Sequence, residues 1–309
     1  RTHKPGVGGS NPPLATKKVM NLSVIIIAFQ SNHLLKKILI NFPKKYQVLI
    51  VENSGLKSTK KLEKKFKNTK VIIPNCNLGY AKAFNLALNK CKNNFVITLT
   101  PDVLIKKDLI YQIERFLKIF KNFTLAAPEF KNQKIYKNYV PIEQKKLIKV
   151  RNNKFHLKMV KELDWCFCII NKKKLKKQNI LDEKFFMYFE TTDLCRRLSS
   201  LNHKMFVIKN LKFDHIGTGS TQKKYNNEIF LNRNWHYTWS KFYFFRKHNN
   251  YLYALRKILP NIYQNLIGIF LSFLMLRFTD LIRHKASLSG GLSAIFLKKS
   301  YYRPNLNHK

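Results

Sequence analysis

The stretch that decides the fold lies near the N-terminal end and reads Ser23-Val24-Ile25-Ile26-Ile27-Ala28. An unbroken run rich in β-branched residues is typical of a parallel strand that is buried on both faces. Similar runs return at Gln47–Glu52, Lys70–Ile73 and Phe95–Leu99, and helical patterns separate them. This alternation predicts βαβ units, and therefore an α/β fold with a Rossmann-like, mostly parallel mixed sheet flanked by helices.

The helices that we expect between and after these strands lie at His33–Asn41, Leu56–Asn68, Tyr80–Cys91 and Lys107–Phe120. Residues 129–162 are rich in Lys and Asn with weak periodicity, and they predict an irregular connection. Further strands are predicted at Asp164–Ile170 and Met205–Ile208, and a helix in the second part of Phe185–Ser200. We expect a disordered leader over residues 1–19, an α/β domain over 20–225 and a helical, aromatic and basic extension over 226–309.

The chain is strongly basic, with 59 Lys and Arg against 16 Asp and Glu and a formal net charge of +43. Such a surface attracts anions, including nucleic acid, anionic lipid headgroups and phosphorylated substrates. AT-rich codon usage is an alternative explanation for part of the excess Lys. The five cysteines form no Cys-x-x-Cys pair, which favours free thiols in a reducing cytoplasm over a zinc site.

An apolar segment, Ile262–Leu276, stands out in the C-terminal part. It is shorter than the roughly 20 residues that a membrane-spanning helix needs. Charged side chains from Arg277 to His284 then fall on one helical face, so an amphipathic helix at a membrane interface is the favoured interpretation. The alternative is a helix that packs on the core of its own domain.

Three loops follow strands of the predicted parallel sheet: Ala28–Ser31, Glu52–Ser54 and Thr100–Asp102. Ligands of such sheets bind at the carboxyl ends of the strands. The Asp102 carboxylate could bind a divalent cation there, although Pro-Asp after a strand is also a common turn. Gly79, before a predicted helix, could let the backbone approach a nucleotide.

A later segment combines acids with aromatic residues, in Phe185-Phe-Met-Tyr-Phe-Glu190-Thr-Thr-Asp193. Glu190, Asp193 and Arg196 are spaced by three and share one face of a helix. A carboxylate beside aromatic side chains is partly desolvated, which raises its pKa and suits it to act as a general base. Acids that merely complement the dipole of a helix N-terminus are the alternative.

Taken in order, these segments resemble the family 2 inverting glycosyltransferases, particularly their rhamnosyltransferase-like branch. The segments that carry the resemblance are Ser-Val-Ile-Ile-Ile-Ala-Phe-Gln-Ser, Val-Glu-Asn-Ser-Gly, Asn-Leu-Gly-Tyr-Ala-Lys-Ala-Phe-Asn, Leu-Thr-Pro-Asp-Val, Leu-Asp-Glu-Lys-Phe-Phe-Met-Tyr-Phe-Glu-Thr-Thr-Asp-Leu-Cys-Arg-Arg and His-Ile-Gly-Thr-Gly-Ser-Thr. They span roughly residues 22–250.

The resemblance implies a GT-A type fold, a nucleotide-diphospho-sugar donor (UDP-, dTDP- or GDP-linked), a divalent metal (Mg²⁺ or Mn²⁺) and inversion of the anomeric centre. It implies roles for individual positions as well: Asp102 and His215 as metal ligands, Ala28, Glu52, Asn53, Gly79, Asn85 and Asp102 in donor binding, and Trp165 and Arg196 in the acceptor or sugar pocket.

Two positions depart from the pattern of the family. Thr191 stands where many relatives have the second acid, often assigned as the base, and a threonine hydroxyl cannot serve as base near neutral pH. We therefore expect Glu190 to be the base, with Asp193 orienting the acceptor or, alternatively, acting as the base itself. Cys168 stands where Gly is usual and keeps the pocket floor small.

Together these features predict a metal-dependent glycosyltransferase, peripheral on the inner face of the cytoplasmic membrane and attracted to its anionic lipids. The expected acceptor is a glycan or a polyprenyl-diphosphate-linked saccharide in bacterial surface polysaccharide synthesis. Two alternatives remain: a non-catalytic sugar-binding relative, or a basic nucleic-acid-binding protein. The second lacks a recognisable nucleic-acid module, so no specific nucleic acid is expected as partner.

Overall fold

Strands and helices alternate through the first half of the chain. The computed structural model describes residues 21–132, 134, 137–143, 147–151, 154–175, 180–216 and 226–304. Within these residues the strands are β1 (Ser23–Ala28), β2 (Gln47–Glu52), β3 (Thr69–Ile72), β4 (Phe95–Leu99), β5 (Val103–Leu104), β6 (Leu125–Phe130), β7 (Tyr139–Pro141), β8 (Ile148–Val150), β9 (Phe155–Leu163), β10 (Phe167–Asn171) and β11 (Met205–His215). The helices are α1 (Asn32–Leu39), α2 (Lys61–Lys65), α3 (Gly79–Asn89), α4 (Lys107–Ile119), α5 (Glu190–Ser200), α6 (Asn226–His248), α7 (Tyr251–Leu274) and α8 (Phe278–Ile295).

One mixed sheet organises these strands in the order β3-β2-β1-β4-β10-β6-β11-β9-β7. Strands β3, β2, β1 and β4 are parallel, as the βαβ pattern predicts. Strand β10 then inserts antiparallel between β4 and β6, and β11 is parallel to β6 but antiparallel to β9. The predicted mixed sheet is confirmed, and its parallel part is largest in the first half of the chain. The carboxyl ends of β1, β2 and β4 meet at one edge, where ligands of such sheets bind.

Helices cover both faces of this sheet. On one face, Leu35 of α1 and Phe116 of α4 pack with β-strand residues such as Ile26 in a fully buried cluster. On the other face, Phe84 of α3 and Leu194 of α5 form a second buried cluster. The predicted leader over residues 1–19 lies outside the described residues.

The region predicted as irregular, residues 129–162, is the main difference from expectation in the α/β part. Its last third forms the nine-residue strand β9, and two short strands, β7 and β8, pair with it. Phe155 and Leu157 are buried, whereas Lys158 is partly exposed and Lys161 is exposed. Further along the strand, Val160 and Leu163 are buried in the cluster on the opposite face, so the buried positions do not alternate regularly and the sequence shows no simple strand pattern.

The C-terminal helices form a third buried cluster, in which Trp235, Trp239 and Phe242 of α6 pack with Ala254 and with residues of α8. Phe185 joins the same cluster, which connects the helices to the segment before α5. Among the described residues, no helix combines the length and the apolarity that a membrane span requires.

Candidate active site

Two adjoining cavities lie at the carboxyl ends of the parallel strands. The first has a volume of about 600 Å³ and is lined by three acids, Asp102, Asp164 and Glu190, together with His215; we call it the acidic cavity. The second has a volume of about 920 Å³, and we call it the basic cavity because six cationic side chains line it, namely Lys82, Lys184, Arg246, Lys298, Lys299 and Arg303. Both share lining residues that include Phe29, Asn53, Asn77 and Phe186, so they form one continuous cleft.

Backbone pairing brings Asp102 and His215 together. The short strand β5 begins directly after Asp102 and pairs with the end of β11, with Val103 opposite His215. The backbone amide of Ile216 also donates to the Asp102 carbonyl at 3.0 Å. As a result, the Asp102 Oδ1 and His215 Nε2 atoms lie 3.1 Å apart, with the carboxylate buried and the imidazole partly exposed.

Each member of this pair changes the pKa of the other. Burial alone would raise the pKa of Asp102, but the hydrogen bond and charge of His215 outweigh it and lower that pKa. Burial alone would lower the pKa of His215, but the Asp102 carboxylate outweighs it and raises that pKa. Near neutral pH, Asp102 is therefore ionised, as a metal ligand must be.

The donor atoms of this pair fit a divalent cation. Two neighbouring ligands of an octahedral ion with bonds of about 2.1 Å are about 3 Å apart, which matches the 3.1 Å between Asp102 Oδ1 and His215 Nε2. Among the described residues, no group of three or more His, Cys, Asp or Glu side chains is arranged to hold a metal. Mg²⁺ sites of this kind commonly use one or two protein ligands and complete their shell with substrate phosphate oxygens and water.

Glu190 lies in the acidic cavity as a buried acid. Its side chain is 7% exposed, and its Oε2 atom has no hydrogen-bond partner among the described residues. Burial, together with a smaller contribution from the charge of Asp164, raises the pKa of Glu190 to about 7. A carboxylate with this pKa in a cleft is suited to accept a proton near neutral pH.

The backbone that delivers Glu190 is strained. Tyr188 and Phe189, the two residues before α5, have φ angles of +67° and +64°, in the left-handed region. For a residue with a side chain, this conformation costs roughly 1–2 kcal/mol. Packing holds it in place, because the Phe189 ring contacts those of Tyr237 and Phe244 in α6 at centroid distances of 5.6 and 5.4 Å.

Asp164 is the third acid that lines the acidic cavity, and the sequence patterns did not predict it as a site residue. Its Oδ1 accepts a hydrogen bond of 2.8 Å from the Cys166 backbone amide, and its side chain is exposed. The charge of Asp164 raises the pKa values of both Glu190 and His215. The sequence signal that could have identified it is its position directly before Trp165, which lines the same cavity.

Asp193 and Arg196 do not line either cavity. The Asp193 side chain is fully buried, and its oxygens lie 2.9 Å from Arg197 Nε, 2.7 Å from Lys247 Nζ and 2.8 Å from His248 Nε2. These three partners leave it no access to an acceptor, and they join α5 to the end of α6. Arg196 is exposed, with its guanidinium 5.7 Å from the centre of the Phe244 ring. The expected roles of Asp193 as base or acceptor guide, and of Arg196 in the sugar pocket, do not agree with these positions.

The predicted donor residues divide into those that line the cleft and those that support it. Asn53 and Gly79 line the acidic cavity, and Asn53 Nδ2 donates to the Gly79 carbonyl at 2.8 Å. Glu52 and Ala28 are fully buried behind them, and Glu52 accepts hydrogen bonds from the backbone and hydroxyl of Ser54. Asn85 lines neither cavity.

Asn85 is instead a structural tie. Its Nδ2 donates to the Leu181 carbonyl at 2.8 Å, and its Oδ1 accepts from the Leu181 amide at 3.1 Å. Because both ends of the amide bind backbone, Asn85 anchors the segment that leads to Glu190 rather than offering groups to a ligand.

Gly79 has a specific steric role at the start of α3. Its φ is +74°, and a Cβ added there would collide with the Phe186 carbonyl oxygen. That carbonyl accepts a 2.7 Å hydrogen bond from the Tyr80 amide, which draws the aromatic segment against the N-terminus of α3. A glycine is therefore required for the floor shared by the two cavities.

The comparisons with known proteins agree with this geometry. A model described as glycosyl transferase family 2 matches residues 23–178, half of the 309-residue chain. The chain belongs to this family. Among curated proteins, none matches the chain.

Solved structures place this family 2 glycosyltransferase among GT-A-like folds. The mannosyltransferase PcManGT from Pyrobaculum calidifontis, in complex with GDP-Man and Mn²⁺, is 11% identical with a TM-score of 0.53, over 90% of this chain and 88% of that chain. GalNAc-T7 with UDP, GalNAc and Mn²⁺ is 12% identical with a TM-score of 0.50, over 80% of this chain and 58% of that chain. At these identities the likeness shows the fold alone, and it confirms the expected fold class.

The family match of this glycosyltransferase ends before two residues of its acidic cavity. Asp102, Asp164 and Trp165 lie within residues 23–178, whereas Glu190 and His215 follow the matched region. The assignment of those two residues to the site therefore depends on their positions in the fold.

Proposed function

We propose that this protein transfers a sugar from a nucleotide-diphospho-sugar to a hydroxyl group of a saccharide or lipid-linked saccharide, with inversion at the anomeric carbon. One observation carries the proposal: a buried acid with a pKa of about 7, Glu190, lines the same cavity as the Asp102–His215 pair. A base and a site for a diphosphate-bound cation are the two parts that such a single displacement requires.

In this mechanism Glu190 accepts the proton of the acceptor hydroxyl while the acceptor oxygen forms its bond to the sugar C1. The bond between C1 and the diphosphate oxygen breaks on the opposite side, and the nucleoside diphosphate leaves with the bonding electron pair. Asp102 and His215 are the residues that would hold a Mg²⁺ or Mn²⁺ ion, which supplies positive charge for the leaving diphosphate. Asp164 lines the same cavity, where its carboxylate can accept hydrogen bonds from sugar hydroxyls.

The donor extends from the acidic cavity into the basic cavity. Asn53 and the loop after Ala28 lie where the two cavities join, and they offer polar groups to a nucleoside. The six cations of the basic cavity favour a phosphorylated ligand. The structural neighbours in complex with GDP-Man or UDP support a donor of this class, whereas the resemblance to the rhamnosyltransferase-like branch favours a rhamnose-like sugar.

The acceptor belongs to the synthesis of a cell-surface polysaccharide, at the inner face of the cytoplasmic membrane. A polyprenyl-diphosphate-linked saccharide would present a hydroxyl group to Glu190 while its lipid remained in the bilayer. The high positive charge of the chain supports work at an anionic surface.

A panel of UDP-, dTDP- and GDP-sugars, with and without Mn²⁺, tests the donor by thermal shift, since a ligand of the folded state raises the melting temperature. For the donor that binds, release of nucleoside diphosphate then measures turnover, with water as a slow acceptor if no glycan is known. Glu190→Gln should retain the shift and lose turnover, whereas Thr191→Ala should retain both. No shift with any donor, or equal turnover of wild type and Glu190→Gln, would contradict the proposal.

A further inference from the structure

The end of the hairpin formed by α7 and α8 carries a concentrated set of exposed apolar side chains. We call this set the apolar tip; its members are Phe270, Leu271, Phe273, Leu274, Met275, Leu276, Phe278 and Ile282, and each is between 48% and 70% exposed. Single exposed apolar residues are ordinary, but a contiguous set of this size marks an interaction surface.

One residue of the apolar tip, Leu276, has an unfavourable backbone conformation. Leu276 has φ +53°, and the Arg277 amide donates to the Ser272 carbonyl at 2.9 Å while the Leu276 amide donates to the Phe273 carbonyl at 3.2 Å. This hydrogen-bond pattern ends many helices, with glycine usual at the left-handed position. Leu276 has a strained backbone and is 70% exposed, so in water neither the backbone conformation nor the burial of its side chain favours a leucine at this position.

The helical hairpin itself is firmly held, so the apolar tip has a defined shape. Gly268 of α7 lies against the His284 ring, and His284 Nδ1 is 2.9 Å from Asn265 Oδ1 across the two helices. Nearer the base of the hairpin, Gly290 of α8 packs against the backbone of Trp235 in α6. The tip is therefore attached rigidly to the part of the chain that lines the basic cavity.

Basic side chains lie in and beside the apolar tip, and their charge favours an anionic lipid surface over a second copy of this chain as its partner. Arg277 lies within the tip and Lys285 less than one helical turn beyond it, both exposed, whereas Asp280 has Arg283 at 3.7 Å as a partner. A second copy of this chain would bring another molecule of net charge +43 against the same surface, which repulsion opposes. An anionic lipid surface offers apolar acyl chains for the tip and phosphates for the basic residues.

We propose that the apolar tip inserts into the interface of an anionic phospholipid bilayer, with Arg277 and Lys285 at the level of the headgroups. The segment is too short to cross the bilayer, so it anchors the protein at the surface. The biological role of this contact rests on the proposed function, because membrane binding would bring the cleft close to an acceptor whose lipid lies in the same membrane. The lipid contact itself is tested without any donor or acceptor.

Flotation of the full chain with vesicles of phosphatidylcholine containing 30% phosphatidylglycerol, compared with pure phosphatidylcholine, tests the proposal. Wild type should bind the anionic vesicles more tightly, and 0.5 M salt should weaken but not abolish binding. The double variant Phe273→Ser with Phe278→Ser should bind roughly tenfold or more weakly, given the apolar area removed. Leu201→Ser is the matched control, since Leu201 is also 70% exposed but lies at the end of α5; its binding should be unchanged.

A second variant separates membrane contact from folding. Leu276→Gly relieves the strained turn, so it should melt no lower than wild type while binding vesicles more weakly. Equal vesicle binding by the tip variants and wild type would overturn the proposal, and so would a concentration-dependent dimer that the tip variants dissociate. Donor thermal shifts in the absence of vesicles should be the same for all these variants, so that failure of the lipid contact and failure of the proposed function are distinguishable.

Discussion

Replacing Glu190 with glutamine should make the protein more stable at pH 8 and nearly inactive. Burial raises the pKa of Glu190 from its ordinary 4.5 to about 7. Because a tenfold change in proton affinity is worth about 1.4 kcal/mol, the ionised carboxylate costs the folded protein about 3 kcal/mol above pH 7. Glutamine keeps the shape of the side chain and removes this cost.

The sign of the pH dependence follows from which state releases its proton first. Between pH 4.5 and 7 the unfolded chain has lost the Glu190 proton and the folded chain still holds it, so the stability of wild type falls as pH rises through this window. The advantage of Glu190→Gln should therefore be about 3 kcal/mol at pH 8 and about 1 kcal/mol or less at pH 5. The larger value corresponds to a rise in melting temperature of roughly 5 °C for a chain of this length.

Thermal unfolding of both proteins from pH 5 to pH 8 measures this difference. Glu129→Gln is the matched control: Glu129 is also buried, but Lys209 and Lys212 bind its carboxylate and outweigh burial, so that its pKa is lowered. Its replacement should lower the melting temperature at pH 8. If Glu190→Gln were no more stable than wild type at pH 8, or if its gain in stability were equally large at pH 5, the assignment of Glu190 as a buried base with a raised pKa would be wrong.

Catalysis by Glu190→Gln provides the second half of the test. A general base contributes roughly 10²- to 10⁴-fold to a rate, so nucleoside diphosphate release by the variant should fall by that range. The wild-type rate should rise with pH through about 7, as Glu190 loses its proton. If Glu190→Gln gained stability but retained turnover, the cost of burying the ionised Glu190 would be confirmed, and its role as general base would be wrong.

Three further predictions concern neighbouring positions. His215→Ala should weaken Mn²⁺-dependent donor binding, and in wild type that binding should be lost on acidification, because the Asp102 carboxylate raises the pKa of the imidazole; isothermal titration from pH 5.5 to 8 measures both. Gly79→Ala should cost about 2 kcal/mol or more in urea unfolding, whereas Gly55→Ala, which has φ +77° but open space, should cost about 1 kcal/mol. Asp193→Asn should destabilise the fold by about 2 kcal/mol, since the buried carboxylate that binds Arg197, Lys247 and His248 loses its charge, and should leave the donor thermal shift intact; loss of that shift without loss of stability would contradict its structural role.

The sequence predicts the parallel half of the sheet well and the later half poorly. Strands β1, β2 and β4 are buried on both faces, so their apolar runs are continuous and conspicuous. Strand β9 buries Phe155 and Leu157 on one face and Val160 and Leu163 on the other, with partly or fully exposed residues between them, so its apolar pattern is irregular. The antiparallel insertion of β10 between β4 and β6 depends on pairing across long stretches of chain, which local patterns do not record.

The same distinction applies to the residues of the site. Asp102, Glu190 and His215 line one cavity because each lies at an end of a regular element: Asp102 directly before β5, Glu190 at the start of α5 and His215 at the end of β11. The positions of Asp193 and Asn85 could not be inferred, since their partners lie far away in sequence: His248 is 55 residues from Asp193, and Leu181 is 96 residues from Asn85. Side-chain spacing on one helix identifies a shared face but not what that face meets.

The left-handed pair Tyr188–Phe189 has a consequence for anyone who evolves or redesigns this protein. Glycine at either position would relax the backbone by roughly 1–2 kcal/mol, but it would remove an aromatic ring that packs against Tyr237. It would also release the Phe189 ring from α6 and let the first turn of α5 move, so that the Glu190 carboxylate would lose its fixed direction. The same two rings therefore hold the strained turn and fix the position of the Glu190 carboxylate, so that selection for heat resistance and selection for turnover should both keep this segment aromatic.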